Sequence, residues 1–211
     1  MTSNAGTKGV ARADREAQIL DVACRAFGEA GYAATSVADI AEAAGISKPL
    51  IYNYFGSKEG LHAVCVQHAA ETLWAEFERS SRTDTVGLAR AVVTLDGMFQ
   101  ALAPQPWMWR LVFDPTAPSD GASHEALLDY ERRLFTLGAD GVGELMRLAG
   151  NTDAGDTSAT HAVWESVFRS LVTWWLDHPE VSPAAMTDRC IRLFSTVFGD
   201  LDEAARAAVG R

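Results

Sequence analysis

Between residues 35 and 58 the chain gathers side chains able to hold a phosphate or read a base edge. Lys48 and Lys58 supply positive charge, and Tyr52 and Tyr54 supply phenolic hydroxyl donors. The Asn53 amide pairs most naturally with an adenine edge, while Pro49 and Leu50 offer apolar contact to thymine methyls. Ser36, Ser47 and Ser57 each stand where a helix begins, and the exposed N–H groups of a helix start cradle phosphates. Together these groups suit duplex DNA, with donors for its backbone and a few side chains for its bases.

Short helices must hold these groups in place. Ile19, Leu20, Ala23, Ala26, Phe27 and Ala30 recur at helical spacing, and Gly31 stands where that helix ends. Ser36-Val-Ala-Asp39 opens a second helix in capping-box fashion, and Val37, Ile40, Ala41 and Ala44 form its apolar stripe before Gly45. Ser47 caps a third helix over 48–55, whose first turn tolerates Pro49 because an N–H there has no helical partner. Ile51 and Phe55, four apart, anchor this helix inward and leave Lys48, Pro49, Tyr52 and Asn53 on or near the open side. A helix-turn-helix has this form. So do three ordinary helices of a bundle whose tyrosines are amphipathic packing residues.

The spacing predicts further helices over 58–80, 86–102, 106–113, 123–149, 158–177 and 183–198, with Ser123 marking one start and 151–160 as loop. Alternating strand patterns are nearly absent, so the expected fold is all-α with about nine helices. Its expected organisation is a flexible N-terminal arm (1–12), a three-helix helix-turn-helix domain (13–60) and a larger helical ligand-binding and dimerisation domain (61–211).

A formal net charge of −10 argues against nucleic acid only when averaged over the chain. Residues 1–60 hold six Lys and Arg against seven Asp and Glu, so the acidity belongs downstream. No apolar run approaches the roughly 18–20 residues that span a bilayer, and the first residues lack the apolar stretch of a signal peptide. Cys24, Cys65 and Cys190 lie far apart and read as small buried thiols of a reducing cytoplasm. Histidines 62, 68, 124, 161 and 178 are scattered, without an HExxH, GxSxG, Walker or GxGxxG signature. The expectation is a cytoplasmic protein that is not an enzyme, with no metal, no cofactor and no membrane contact.

The string AGISKPLIYNYFGSKEGL, preceded by GYAATSVADIA, resembles the DNA-binding domain of the TetR family of bacterial transcriptional regulators (TetR/AcrR type). The resemblance runs from about Arg15 to Leu61 and includes, in order, Ala26-Phe27, Gly31-Tyr32, Thr35-Ser36-Val37, Ile40-Ala41, Ala44-Gly45-Ile46-Ser47, Ile51-Tyr52, Phe55 and Ser57-Lys58-Glu59. It implies that Thr35, Tyr52 and Lys58 hold phosphates, while Ser47, Lys48 and Pro49 approach bases with Asn53 and Tyr54 beside them. Position 54 is often His in the family and is Tyr here, which alters its contact geometry. The implied function is a ligand-responsive regulator, by default a repressor. It binds a pseudo-palindromic double-stranded operator as a homodimer and is released by a hydrophobic small-molecule effector. Two alternatives stay open: an activator, or a ligand-binding or interaction module without specific DNA binding.

Beyond residue 100 the signal is compositional. Five of the six tryptophans lie there, two of them in WMWRLVF (107–113). Trp107, Trp109, Phe113, Trp164 and Phe168 are candidate cavity residues, with plain core packing as the other reading. Over 158–177, Trp164, Phe168, Leu171 and Trp175 form one stripe and Val163, Val167 and Trp174 a second. The helix over 183–198 is similarly broad, with Ile191, Phe194 and Phe198. A helix apolar on two sides buries both, inside one bundle or against a second copy. The resemblance favours a dimer through Val163, Val167, Trp174, Ile191, Phe194 and Phe198, because the family's last two long helices dimerise. WRLVFD (109–114) and WWLDHPEVSPAAM (174–186) also resemble regulators that respond to acyl chains or acyl-CoA thioesters. Against that, Asp114, Asp129 and Glu165 near aromatics suit a cationic lipophile.

Overall fold

The computed structural model describes residues 12–82, 84–198 and 210, with the side chains of Val197 and Phe198 excepted. Residues 1–11 of the expected arm lie outside the described residues, and Arg12 already belongs to the first helix. The described secondary structure is entirely helical: α1 (Arg12–Ala34), α2 (Val37–Ala43), α3 (Lys48–Phe55), α4 (Lys58–Ser81), α5 (Gly87–Leu102), α6 (Trp107–Val112), α7 (Gly121–Leu148), α8 (Ala154–Leu176) and α9 (Pro183–Phe198). They form two compact units. One holds the chain through Ala70 together with Trp107–Leu127, and the other holds Glu71–Pro106 and the chain from Leu128 onward.

In the first unit α1 is the central strut, with Ile19, Ala23, Cys24 and Phe27 buried along one face. The α6 backbone presses onto this face at Gly28, where a Cβ would overlap the Trp107 carbonyl. Absence of a side chain there sets the close approach of the two helices. At Gly31 (φ 81°, ψ 161°) the regular helix breaks, and the chain turns toward α2. Ser36 caps α2 by accepting from the Asp39 N–H at 3.1 Å. Gly45 ends it in the left-handed region, with Ile46 N–H donating to Ala41 O at 2.9 Å and Gly45 N–H to Glu42 O at 3.0 Å. This paired closure fixes the turn between α2 and α3. Gln18 of α1 ties it down by donating to Ala44 O at 3.0 Å.

In the second unit Val92, Leu95, Met98, Phe99 and Leu102 of α5 are buried, as are Met186, Cys190, Ile191 and Phe194 of α9. Between those two helices Thr187 Oγ1 donates to Asp96 Oδ1 at 2.6 Å. From α8, the Trp175 ring packs on Phe99 with centroids 5.1 Å apart, and its indole N–H donates to Val181 O at 2.7 Å. The bond closes the α8–α9 turn and spares the buried indole an unpaired donor.

Two expected boundaries shift. The polar stretch 151–160 is largely helix, because Asp153 caps α8 by accepting from the Asp156 N–H at 2.9 Å. Ser123 does not cap α7, which opens at Gly121; its buried hydroxyl lies 2.9 Å from His62 Nδ1 instead.

Candidate nucleic-acid interface

The α3 helix carries most of the predicted readers. Ile51 is fully buried beneath it, while Lys48, Pro49, Tyr52 and Asn53 are exposed together on the opposite side with the N-cap Ser47. No side-chain bond caps this N-terminus; Pro49 lacks an N–H and the Leu50 N–H donates to Ser47 O at 3.0 Å, so the Ser47 hydroxyl and the Lys48 N–H are the donors at this end. The Lys48 ammonium lies 5.7 Å from the Tyr52 ring centroid, which keeps charge and phenol on one patch. Tyr54 is half-buried, with the Arg12 guanidinium 5.2 Å over its ring. Arg12 adds a positive charge that the motif alone did not single out.

Two predicted phosphate holders sit deeper. Thr35 is buried, and its hydroxyl donates to Gly31 O at 2.8 Å and Ala26 O at 3.1 Å. Those bonds brace the chain across the α1 break. Lys58, half-buried at the start of α4, holds its ammonium 4.2 Å over the Tyr32 ring. Ser36 keeps its capping bond, and Ser57 Oγ accepts from the Gly60 N–H at 2.9 Å.

Behind this face lies a clasp that sequence reasoning missed. The break at Gly31 releases two backbone donors, and the α6–α7 loop takes both. Asp114 Oδ2 accepts from the Tyr32 N–H at 2.5 Å, and Thr116 Oγ1 accepts from the Ala33 N–H at 3.2 Å. Thr116 N–H in turn donates to Asp114 Oδ1 at 2.8 Å. A charged acceptor on a backbone donor is among the stronger hydrogen bonds, and it satisfies groups that burial would otherwise penalise. The Tyr32 ring meets His62 at 4.8 Å, and His62 meets Phe27 at 4.9 Å. Burial, partly offset by Asp114 and reinforced by Lys58, lowers the His62 pKa to about 4. His62 is therefore a neutral packing group at neutral pH, its Nε2 buried without a partner among the described residues. The motif named Gly31-Tyr32, but its partner Asp114 is remote in sequence, and no pattern joins them.

The candidate body residues separate. Trp107 and Trp109 are buried in the first unit, where Trp109 packs on half-buried Phe113 at 4.4 Å. In the second unit Trp164 and Phe168 line a cavity of about 500 Å³ together with Trp74, Phe77, Leu88, Leu134, Leu137, Val142 and Leu145. That volume lies within the usual range for small-molecule sites. The candidate dimer residues divide as well. Val163 (65% exposed) and Trp174 (41%) are open, as is Leu193 of α9, and Val167 is half-buried. Ile191 and Phe194 lie in the unit's own core, with Phe194 against Trp164 at 5.1 Å. The Phe198 side chain lies outside the described residues.

Residues 19–64 match the family profile described as bacterial regulatory proteins, tetR family. Among curated relatives, the transcriptional activator FasR of Mycolicibacterium smegmatis is 30% identical over 103 residues, covering 49% of this chain and 47% of its own. The regulator BetI of Burkholderia cenocepacia is 37% identical over 82 residues, covering 37% of this chain and 42% of its own. The chain thus spans less than half the length of these relatives in the matched regions. Two solved structures share the fold across nearly the whole chain. A TetR-like regulator from Rhodococcus superposes with a TM-score of 0.71 at 22% identity, covering 96% of this chain and all of its own. FadR from Bacillus subtilis, solved in complex with stearoyl-CoA, gives 0.68 at 17% identity, covering 87% of this chain and 98% of its own. Residues 19–64 are a TetR-family N-terminal segment, carried on a TetR-like all-α fold.

Proposed function

We propose that the protein is a DNA-binding transcriptional regulator whose α3 enters the major groove and whose body senses a hydrophobic small molecule. The exposed set Lys48, Pro49, Tyr52 and Asn53 on a helix pinned from behind by Ile51 carries this reading. A rigid helix presenting an amide, a phenol and a cation on one face is what base and phosphate contacts require. The Ser47 hydroxyl, uncommitted to a cap, adds a donor at the start of α3, while Thr35 and Lys58 hold the flanking turns.

Two such heads read a pseudo-palindrome when two chains pair. Val163 and Trp174 of α8 with Leu193 of α9 supply exposed apolar surface for that pairing. The cavity holds the effector, and an acyl-type ligand is favoured by its largely apolar walls and by the stearoyl-CoA bound in the FadR neighbour. A ligand acts by binding one head spacing more tightly than another, to the extent of its differential affinity. Repression by occluding a promoter is the default outcome. The activator name of the FasR relative favours activation as the second reading.

The test is fluorescence anisotropy of the chain with duplex from its own upstream region and with a scrambled duplex, each with and without palmitoyl-CoA. Regulation predicts specific binding at least about a thousandfold tighter than to the scrambled duplex, and release by the thioester. Equal binding to both duplexes contradicts sequence-specific regulation.

A further inference from the structure

Among the polar side chains that line the cavity of the second unit, one is almost fully buried and has no hydrogen-bond partner among the described residues. The cavity's arginines already have acids: Arg82 pairs with Glu78 at 2.7 Å, and Arg90 pairs with Glu144. Glu165 meets Arg169 at 3.4 Å. The Thr94 hydroxyl is spent on Arg90 O at 3.0 Å. His161 differs. It lines the cavity at 4% exposure, and neither ring nitrogen has a hydrogen-bond partner among the described residues.

The imidazole is nonetheless held in place. Its ring meets Phe135 edge-on, with centroids 4.5 Å apart and planes at 84°. On the Nε2 side it rests over Gly138, where a Cβ would come within 2.5 Å of that nitrogen. Glycine at 138 therefore makes the room in which the ring stands. A buried polar group is costly unless it is paired. A fixed, unpaired one in an apolar cavity is also the arrangement by which pockets orient their ligands.

We infer that His161 is the specificity-determining residue of this cavity, forming a hydrogen bond to an oxygen of the ligand, and that the ligand class is a lipophile bearing a hydroxyl or carbonyl group. The inference rests on the cavity being the effector site proposed above. It adds that a hydrocarbon chain without such an oxygen is discriminated against, because it leaves the imidazole buried and unpaired. Charge is not what the interior recognises, since its arginines are already matched by carboxylates.

The test uses the full chain and three probes of one chain length: decan-1-ol, decan-5-ol and 1-fluorodecane, the last replacing a hydroxyl by fluorine. Binding is followed by quenching of tryptophan fluorescence, since Trp74 and Trp164 line the cavity. Leu137→Trp, which narrows the cavity, must weaken binding of all three. The wild-type chain should bind at least one alcohol about tenfold tighter than 1-fluorodecane, the loss expected when one buried hydrogen bond is missing. His161→Phe should erase that preference while still binding 1-fluorodecane, and His161→Gln should restore part of it. Equal affinities in the wild-type chain, or a preference that survives His161→Phe, overturns the role of His161 while leaving the effector cavity standing. Failure of all three probes to bind saturably, or binding that Leu137→Trp leaves intact, overturns the cavity as effector site and His161 with it. Unchanged melting temperatures of the His161 variants separate recognition from misfolding.

Discussion

The two units use the same residue types to opposite ends. In the first, Trp107 and Trp109 of α6 are buried, and Gly28 lets α1 and α6 meet backbone to backbone. In the second, Trp74, Trp164 and Phe168 stand around a hollow, and Gly138 makes room for an imidazole rather than a helix. Aromatic content therefore does not locate a cavity. Whether the facing helix comes close enough to fill the space does, and single glycines set that distance.

The sharpest way to break this contrast is to truncate one tryptophan from each unit. Trp109→Ala removes a buried ring from a filled core and should cost about 3–5 kcal/mol. Trp164→Ala widens an existing hollow and should cost about half as much. Chemical denaturation of both variants decides, and equal losses would mean that the two environments are alike.

Acid should act on the first unit through His62. Its folded pKa of about 4 lies below the ordinary 6.5, so between those values the unfolded chain binds the extra proton. Stability from this group is fully present above pH 6.5 and is lost as pH falls toward 4, by up to about 3 kcal/mol. Melting curves across that window should flatten in His62→Phe relative to the parent.

Smaller effects should come from the glycines. Gly28→Val gains up to about 1 kcal/mol of helix propensity, but drives a branched side chain into the fixed Trp107 carbonyl. The overlap wins, with a net loss of about 2 kcal/mol. Gly138→Ala gains comparable helix propensity but displaces the His161 ring, a side-chain end rather than a backbone carbonyl, so its melting temperature should fall less than that of Gly28→Val while ligand preference shifts. A reversed order would mean that the cavity wall, not the α1–α6 contact, is the rigid region.

Local chemistry made the α1–α3 segment legible from sequence. Ser36, Gly45, Ser47, Pro49 and Gly56 each dictate a cap, a first turn or a left-handed residue, and α2 and α3 fall where they direct. The exposed face of α3 followed from the spacing of Ile51 and Phe55, and Ile51 is the one fully buried beneath it. Where the determinants are long-range, the pattern is silent. Asp114 pairs with a backbone N–H some eighty positions away, and Ser123 looks like a cap until His62 is placed beside it. Residues 151–160 read as loop because Asn, Asp, Gly and Thr dominate. Asp153 instead spends that polarity on capping α8. Ile191 and Phe194 could not be apportioned between core and partner, because a broad apolar arc carries no record of which side the subunit itself covers.

Reading of DNA by the exposed face of α3 is tested most directly by the salt dependence of operator affinity in three variants. Tyr52→Phe and Lys48→Ala should weaken binding to every duplex, and Lys48→Ala should lower the slope of log affinity against log salt by about 1. Asn53→Ala should leave that slope unchanged and relax discrimination at particular base pairs by about 1–3 kcal/mol. Three variants that bind the operator and a scrambled duplex as the parent does, at every salt concentration, would contradict the assignment of this face to DNA.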